Sequence, residues 1–156
     1  FTVGHDIDEE KINEAVDRGI LKGVVALFGC ESGKSTWKVD ELIEELYQHD
    51  FMVINLGCHL RGEQGKSTFS AEYGIPSVLN AGCCEPGKVL GLKKLTVLMP
   101  RWRDPRMLTQ AFAFASCKIP VILGVLPFVI PRVRSELMDA GIKVEVDSSK
   151  ILELLG

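Results

Sequence analysis

The 156 residues, 46% apolar and 25% charged, have the make-up of one soluble globular domain that can bury about two thirds of its unfolded surface without a staple. A net charge of −3 argues against a nucleic-acid groove or an anionic membrane surface, both of which need a clustered basic excess. The longest apolar run, Val121 to Ile130, is too short to span a bilayer and contains Pro127.

Asp8 to Arg18 carries Ile12, Ala15 and Val16 at helical spacing, acidic residues in its first turn, and Gly19 where a helix would close. Leu21 to Phe28 is a nearly continuous apolar strand, and Cys30 to Lys38 a polar loop. Val39 to His49 is an amphipathic helix with Leu42, Ile43, Leu46 and Tyr47 on its apolar side. Phe51 to Leu56 is the second strand, Ser67 to Tyr73 a short helix, and Ile75 to Leu79 the third strand. A helical turn around Val89 to Lys94 leads into a fourth strand, Leu95 to Met99. Pro105 to Cys117 reads as a buried helix with Asp104 as its N-cap. A fifth strand at Val121 to Leu126, a helix at Pro131 to Ala140, a short strand at Lys143 to Val146 and a helix at Ser148 to Leu155 complete the chain.

Strand and helix alternate throughout, so the expected architecture is a Rossmann-like three-layer α/β fold with a mostly parallel sheet. Charge runs and low-complexity segments are lacking, which makes residues 1–156 a single domain. The first residue is Phe1 rather than Met and no signal-peptide pattern follows it, as expected of a fragment or one domain of a larger cytoplasmic protein.

Gly-Lys-Ser-Thr occurs twice, at Gly33 to Thr36 and Gly65 to Thr68. A phosphate-binding loop needs a further glycine five residues earlier, so that backbone N–H groups wrap the phosphates. Those places hold Phe28 and Leu60, and the helix that should follow Lys34 directly starts only near Val39. Both stretches are better read as polar loops.

The thiols carry more. Apolar runs end in Gly29-Cys30, Gly57-Cys58 and Gly82-Cys83-Cys84. Open parallel sheets bind ligands at the carboxyl ends of their strands, where these cysteines fall. A glycine before each lets the backbone turn tightly beside a bulky group. One cysteine alone is more often a small buried hydrophobe. A thiol site after each of three successive strands suits an iron–sulfur cluster or another soft metal centre. No C-x-x-C occurs, which argues against a zinc ribbon or a thioredoxin-type pair. Cys117 is assigned to the core. His59 follows Cys58 at the same edge, as a ligand, a hydrogen-bond donor behind the ligands, or a solvated loop residue, the last being preferred. His5 and His49 read as surface residues, and Trp37 and Trp102 as packing.

The ordered set KGVVALFGC, INLGC and GIPSVLNAGCC, followed by FAFASCKIPVILGVLP and KVEVDSSKILELL, resembles the C-terminal α/β domain of the carbon monoxide dehydrogenase and prismane (hybrid-cluster protein) superfamily. The resemblance covers nearly the whole chain. It implies that Cys30, Cys58 and Cys84 bind an active-site iron–sulfur cluster, with or without nickel, and that Cys83 falls where the family has no ligand. It implies a metal-cluster oxidoreductase acting on CO, with hydroxylamine reduction as the alternative. The cysteine separations of 28 and 26 look closer to the hybrid-cluster branch. Further domains or subunits would supply the remaining ligands, including a histidine, and the electron path, with no nucleic acid or membrane involved. The family's acidic and lysine positions fall near Asp104 and Arg106, and an arginine cannot shuttle protons, so no acid–base residue is carried over. A non-catalytic interaction domain that keeps the fold is the competing reading.

Overall fold

A strand that is apolar along its whole length needs cover on both faces and partners on both edges. The computed structural model, which describes residues 7–29, 37–57, 74–82, 85–101, 105–125 and 131–156, meets both needs. The apolar runs become β1 (Gly23–Gly29), β2 (Phe51–Gly57), β3 (Val78–Asn80), β4 (Leu95–Met99), β5 (Val121–Leu123) and β6 (Lys143–Val144). Every pairing is parallel, and the strand order is β3-β2-β1-β4-β5-β6. All seven residues of β1 are buried.

Among the described residues five α-helices supply the cover: α1 (Glu9–Asp17), α2 (Val39–Gln48), α3 (Pro105–Ser116), α4 (Pro131–Asp139) and α5 (Ile151–Leu155). One apolar layer joins Val24, Ala26 and Phe28 to Ile12 of α1, Phe114 of α3 and Leu137 of α4. The other joins Val25, Leu27 and Val53 to Leu42 and Leu46 of α2 and Ile151 of α5. The two layers follow alternate residues of the same strands, as the pleat requires. No helix among the described residues is long and apolar enough to cross a membrane.

The chain builds outward from β1 to β3, then returns to lay β4 on the other side of β1. Connections leave in opposite directions at that point, which opens a crevice at the carboxyl ends of β1 and β4. α1 is fastened in front of β1 by Asn13, whose Nδ2 donates to the Gly91 carbonyl at 2.9 Å while its Oδ1 accepts from the Lys93 N–H at 2.7 Å. The Asp8 side chain accepts from the Lys11 N–H at 3.2 Å and caps α1.

Several expectations need correction. The third strand joins the continuous ladder only at Val78; Pro76, which has no N–H to give, makes no more than an isolated bridge before it. The turn after Cys84 is a 3₁₀ turn at Pro86–Val89, starting three residues earlier than expected because Pro86 opens it. β5 and β6 are shorter than their apolar runs. Tyr47 is 36% exposed, since the buried stripe of α2 is Val39, Leu42, Ile43 and Leu46 and residue 47 sits at its border. α3 is amphipathic rather than buried all round, with Met107, Ala111 and Phe114 inward. It ends at Ser116, so Cys117 is exposed in the turn beyond it and is not core. The helix expected at Ser67 to Tyr73 lies outside the described residues.

Phe28 of β1 meets Phe114 of α3 edge-on, with ring centroids 5.1 Å apart and planes at 66°. Phe114→Ala is expected to cost about 3–5 kcal/mol in urea unfolding, from lost burial plus a cavity. The Lys11 N–H and the Lys11 side chain hold the Asp8 carboxyl below its ordinary range. A lowered folded pKa stabilises above the unfolded pKa and is lost as pH falls through the folded one. Asn also caps helices, so Asp8→Asn should differ from wild type at neutral pH and converge with it in acid, read by thermal midpoints from pH 7 to pH 2.

Candidate metal centre

β1 and β2 run in register over their whole length and end together, Gly29 opposite Gly57. β3 ends one step away, with Asn80 opposite Asn55. Cys30 follows Gly29 in the chain, Cys58 follows Gly57, and Cys83 and Cys84 follow Gly82. These four cysteines, together with His59, Trp102 and Asp104, lie outside the described residues. The described structure is therefore the platform from which the chain runs into the candidate ligands. Cys30 follows the strand that borders the crevice between β1 and β4.

The platform is made of glycine for steric reasons. Gly29 has φ +139° and Gly82 φ +90°, both in the region that side chains avoid. A Cβ on Gly57 would sit 2.3 Å from the Gly29 carbonyl oxygen, well inside contact distance. A Cβ on Gly124, just past β5, would lie 2.8 Å from both the Pro100 carbonyl oxygen and the Trp37 ring. Among the described residues the ends of β1 and β2 thus pack backbone on backbone.

Asn55 breaks an otherwise apolar strand. It continues the face of Phe51 and Val53 and is fully buried, at 0% exposure. Its Nδ2 donates to the Gly57 carbonyl at 3.1 Å and reaches the Asn80 Oδ1 at 3.4 Å. The same Asn80 Oδ1 accepts from the Gly82 N–H at 3.4 Å. The Asn55 Oδ1 is buried and has no partner among the described residues.

Two further side chains fix the rim. The Lys88 Nζ donates to the Ala81 carbonyl at 3.1 Å and pairs with the Glu85 carboxylate at 3.0 Å, spanning the Cys83–Cys84 pair. Trp37 is buried, and its Nε1 donates to the Glu145 carbonyl at 2.7 Å, which pins the far end of the stretch that starts at Cys30. The packing role expected of Trp37 is what the structure gives it. His49 is exposed, with its Nδ1 2.8 Å from the Glu45 carbonyl, and stands on α2 away from this edge.

Among the described residues no three His, Cys, Asp or Glu side chains converge as metal ligands. A groove of about 590 Å³ opens at the opposite, amino edge of the sheet, lined by Lys22, Lys94, Lys118, Cys117 and apolar residues. Ligand chemistry in an open α/β sheet belongs to the carboxyl edge, so groove size does not locate the site here. A dinucleotide fingerprint is also missing, because Gly29 and Gly33 are four apart with no glycine between them.

Asn55 and Asn80 are the residues that pattern reading passed over. Their signal is a repeated Asn-x-Gly-Cys, at Asn55 to Cys58 and again at Asn80 to Cys83. Strand register places the two asparagines opposite each other.

The family model described as Prismane/CO dehydrogenase family matches residues 3–87. No curated protein matches the chain. Among solved structures, a nickel-free carbon monoxide dehydrogenase from Thermococcus sp. AM4 superposes with a TM-score of 0.68 at 21% identity. Carbon Monoxide Dehydrogenase IV from Carboxydothermus hydrogenoformans does so with a TM-score of 0.68 at 22% identity. Each match covers 94% of this chain, which spans 30% of the first structure and 31% of the second. At that identity the likeness is one of fold.

Gly57→Ala tests the backbone packing. It is expected to destabilise by about 1–3 kcal/mol in denaturant titration, as overpacking does. Gly87→Ala, where an added Cβ meets nothing within 4 Å, should stay within about 0.5 kcal/mol of wild type.

Proposed function

Because this chain belongs to the prismane/CO dehydrogenase family, we propose that the carboxyl edge of β1, β2 and β3 forms one wall of an iron–sulfur active site. Cys30, Cys58 and Cys84 are its thiolate ligands, and the whole chain is one Rossmann-like domain of a larger oxidoreductase. The observation that carries this reading is the pair of in-register strand ends, Gly29 and Gly57, each followed by a cysteine.

The residues at this edge fit such a group. The glycines let the ends of β1 and β2 pack backbone against backbone, which brings the starts of the Cys30 and Cys58 stretches close together. Thiolates are the soft donors that hold iron–sulfur clusters, with or without nickel. The buried Asn55 Oδ1 supplies an acceptor for an N–H or O–H at the same edge. When bound, the cluster supplies the redox and Lewis-acid chemistry by which CO and water become CO2, two protons and two electrons.

This chain's own part is to hold and to orient. Trp37, the first described residue after Cys30, is anchored on the Glu145 carbonyl. Lys88 closes the stretch around Cys83 and Cys84 by tying Ala81 to Glu85. Hydrogen bonds behind the ligands fix their orientation and tune the metal. The chain spans about 30% of the carbon monoxide dehydrogenases it superposes on. The remaining ligands and the electron path are assigned to partner domains or subunits. Hydroxylamine reduction is the second reading, favoured by cysteine separations of 28 and 26.

The test is metal analysis and electron paramagnetic resonance on protein prepared without oxygen, with CO-oxidation and hydroxylamine-reduction assays in parallel. Wild type should contain iron, and Cys30→Ala, Cys58→Ala and Cys84→Ala should each lose most of it, whereas Cys83→Ala should keep it. A wild-type protein devoid of iron and nickel sinks the proposal and leaves the interaction-domain reading. Turnover of hydroxylamine without CO oxidation selects the second reading.

A further inference from the structure

We infer that Asn55 and Asn80 form a clamp across β2 and β3 that positions the Cys58 and Cys83–Cys84 turns relative to each other. The role in metal binding rests on the proposed cluster site; the clamp itself does not.

The geometry has three parts. Asn55 sits directly opposite Asn80 in the parallel register. Its Nδ2 ties down the Gly57 carbonyl at 3.1 Å, the peptide group that leads into Cys58. The Asn80 Oδ1 takes both the Asn55 Nδ2 and the Gly82 N–H, each at 3.4 Å. Gly82 precedes Cys83 and has φ +90°, a conformation that favours glycine, and the Asn80 side chain holds its N–H while Lys88 holds the Ala81 carbonyl of the same peptide group. One amide pair therefore links the last peptide before each thiol turn.

Burial explains why an amide is there at all. A buried polar atom left without a partner costs more than a typical hydrogen bond gains, and the Asn55 Oδ1 has none among the described residues. Asn55 therefore contributes less to stability than an amide with both of its polar atoms paired. Asn55 is thus a poor choice for stability and a good one for aim, which makes it a positioning residue.

The roles of the two side chains differ, and the difference is testable. Asn80 is used only as an acceptor in these contacts, so Asn80→Asp keeps them and Asn80→Leu removes them. Asn55 is used only as a donor, so Asn55→Leu removes its part without adding a charge.

The experiment measures Gly82 amide hydrogen exchange, thermal midpoint and iron content in wild type, Asn55→Leu, Asn80→Leu and Asn80→Asp, using metal-free and iron-loaded protein. Both leucine variants are expected to exchange the Gly82 amide about tenfold faster while keeping the wild-type thermal midpoint within a few degrees. They should hold several-fold less iron, with a broadened paramagnetic resonance signal, and Asn80→Asp should match wild type in each respect. Wild-type Gly82 exchange in both leucine variants overturns the clamp. So does equal damage by Asn80→Leu and Asn80→Asp, which also decides the matter if Asn55→Leu fails to fold. Should wild type bind no iron, the proposed function falls, and exchange in the metal-free protein still decides the clamp.

Discussion

β1 has no face and no edge to spare. It is hydrogen-bonded to β2 on one side and β4 on the other, and all its residues are buried. The helices are consequences of that one strand. α2 and α5 exist to keep water from Val25 and Leu27, and α1, α3 and α4 to keep it from Val24, Ala26 and Phe28. The return of the chain to lay β4 beside β1 also fixes where the sheet splits its connections, and so where a ligand crevice opens. A central strand and a crevice at its end are two outcomes of one topological step.

At the carboxyl edge the rules of the core are suspended. β1 and β2, apolar except for the buried Asn55 of β2, finish in glycines packed against each other. Departures from good packing and full hydrogen bonding concentrate where a protein does its work. Here the departure is of a particular kind. Side-chain bulk is removed from the strand ends and directional hydrogen bonding is put in its place. That combination suits a group held at close range by residues further along the chain.

The fold was legible because apolar runs and amphipathic stripes do not depend on neighbours. The stripe of α1, the acidic residues of its first turn and the strand Leu95–Met99 could be read residue by residue. Failures came where context decides. Cys117 looked like core because it prolongs an apolar helix, yet α3 stops one residue before it. Tyr47 lies at the border of a stripe, where periodicity has least to say. The third strand looked longer than it is because Ile75 is buried without being paired. Of the site, the glycine–cysteine ends were plain in sequence, since they depend on local turns. The bond between Asn55 and Asn80 was not, because it joins residues that only the parallel register makes neighbours.

Trp37 carries a consequence for how the molecule is assembled. The stretch that begins at Cys30 is fixed at its start by β1 and at its finish by an indole resting on the carbonyl of Glu145. Those two residues are 108 positions apart, so the anchor cannot form until Glu145 has left the ribosome. Strands near the amino terminus can pair long before that. The first candidate ligand, Cys30, is thus synthesised well before the bond that anchors Trp37 can form.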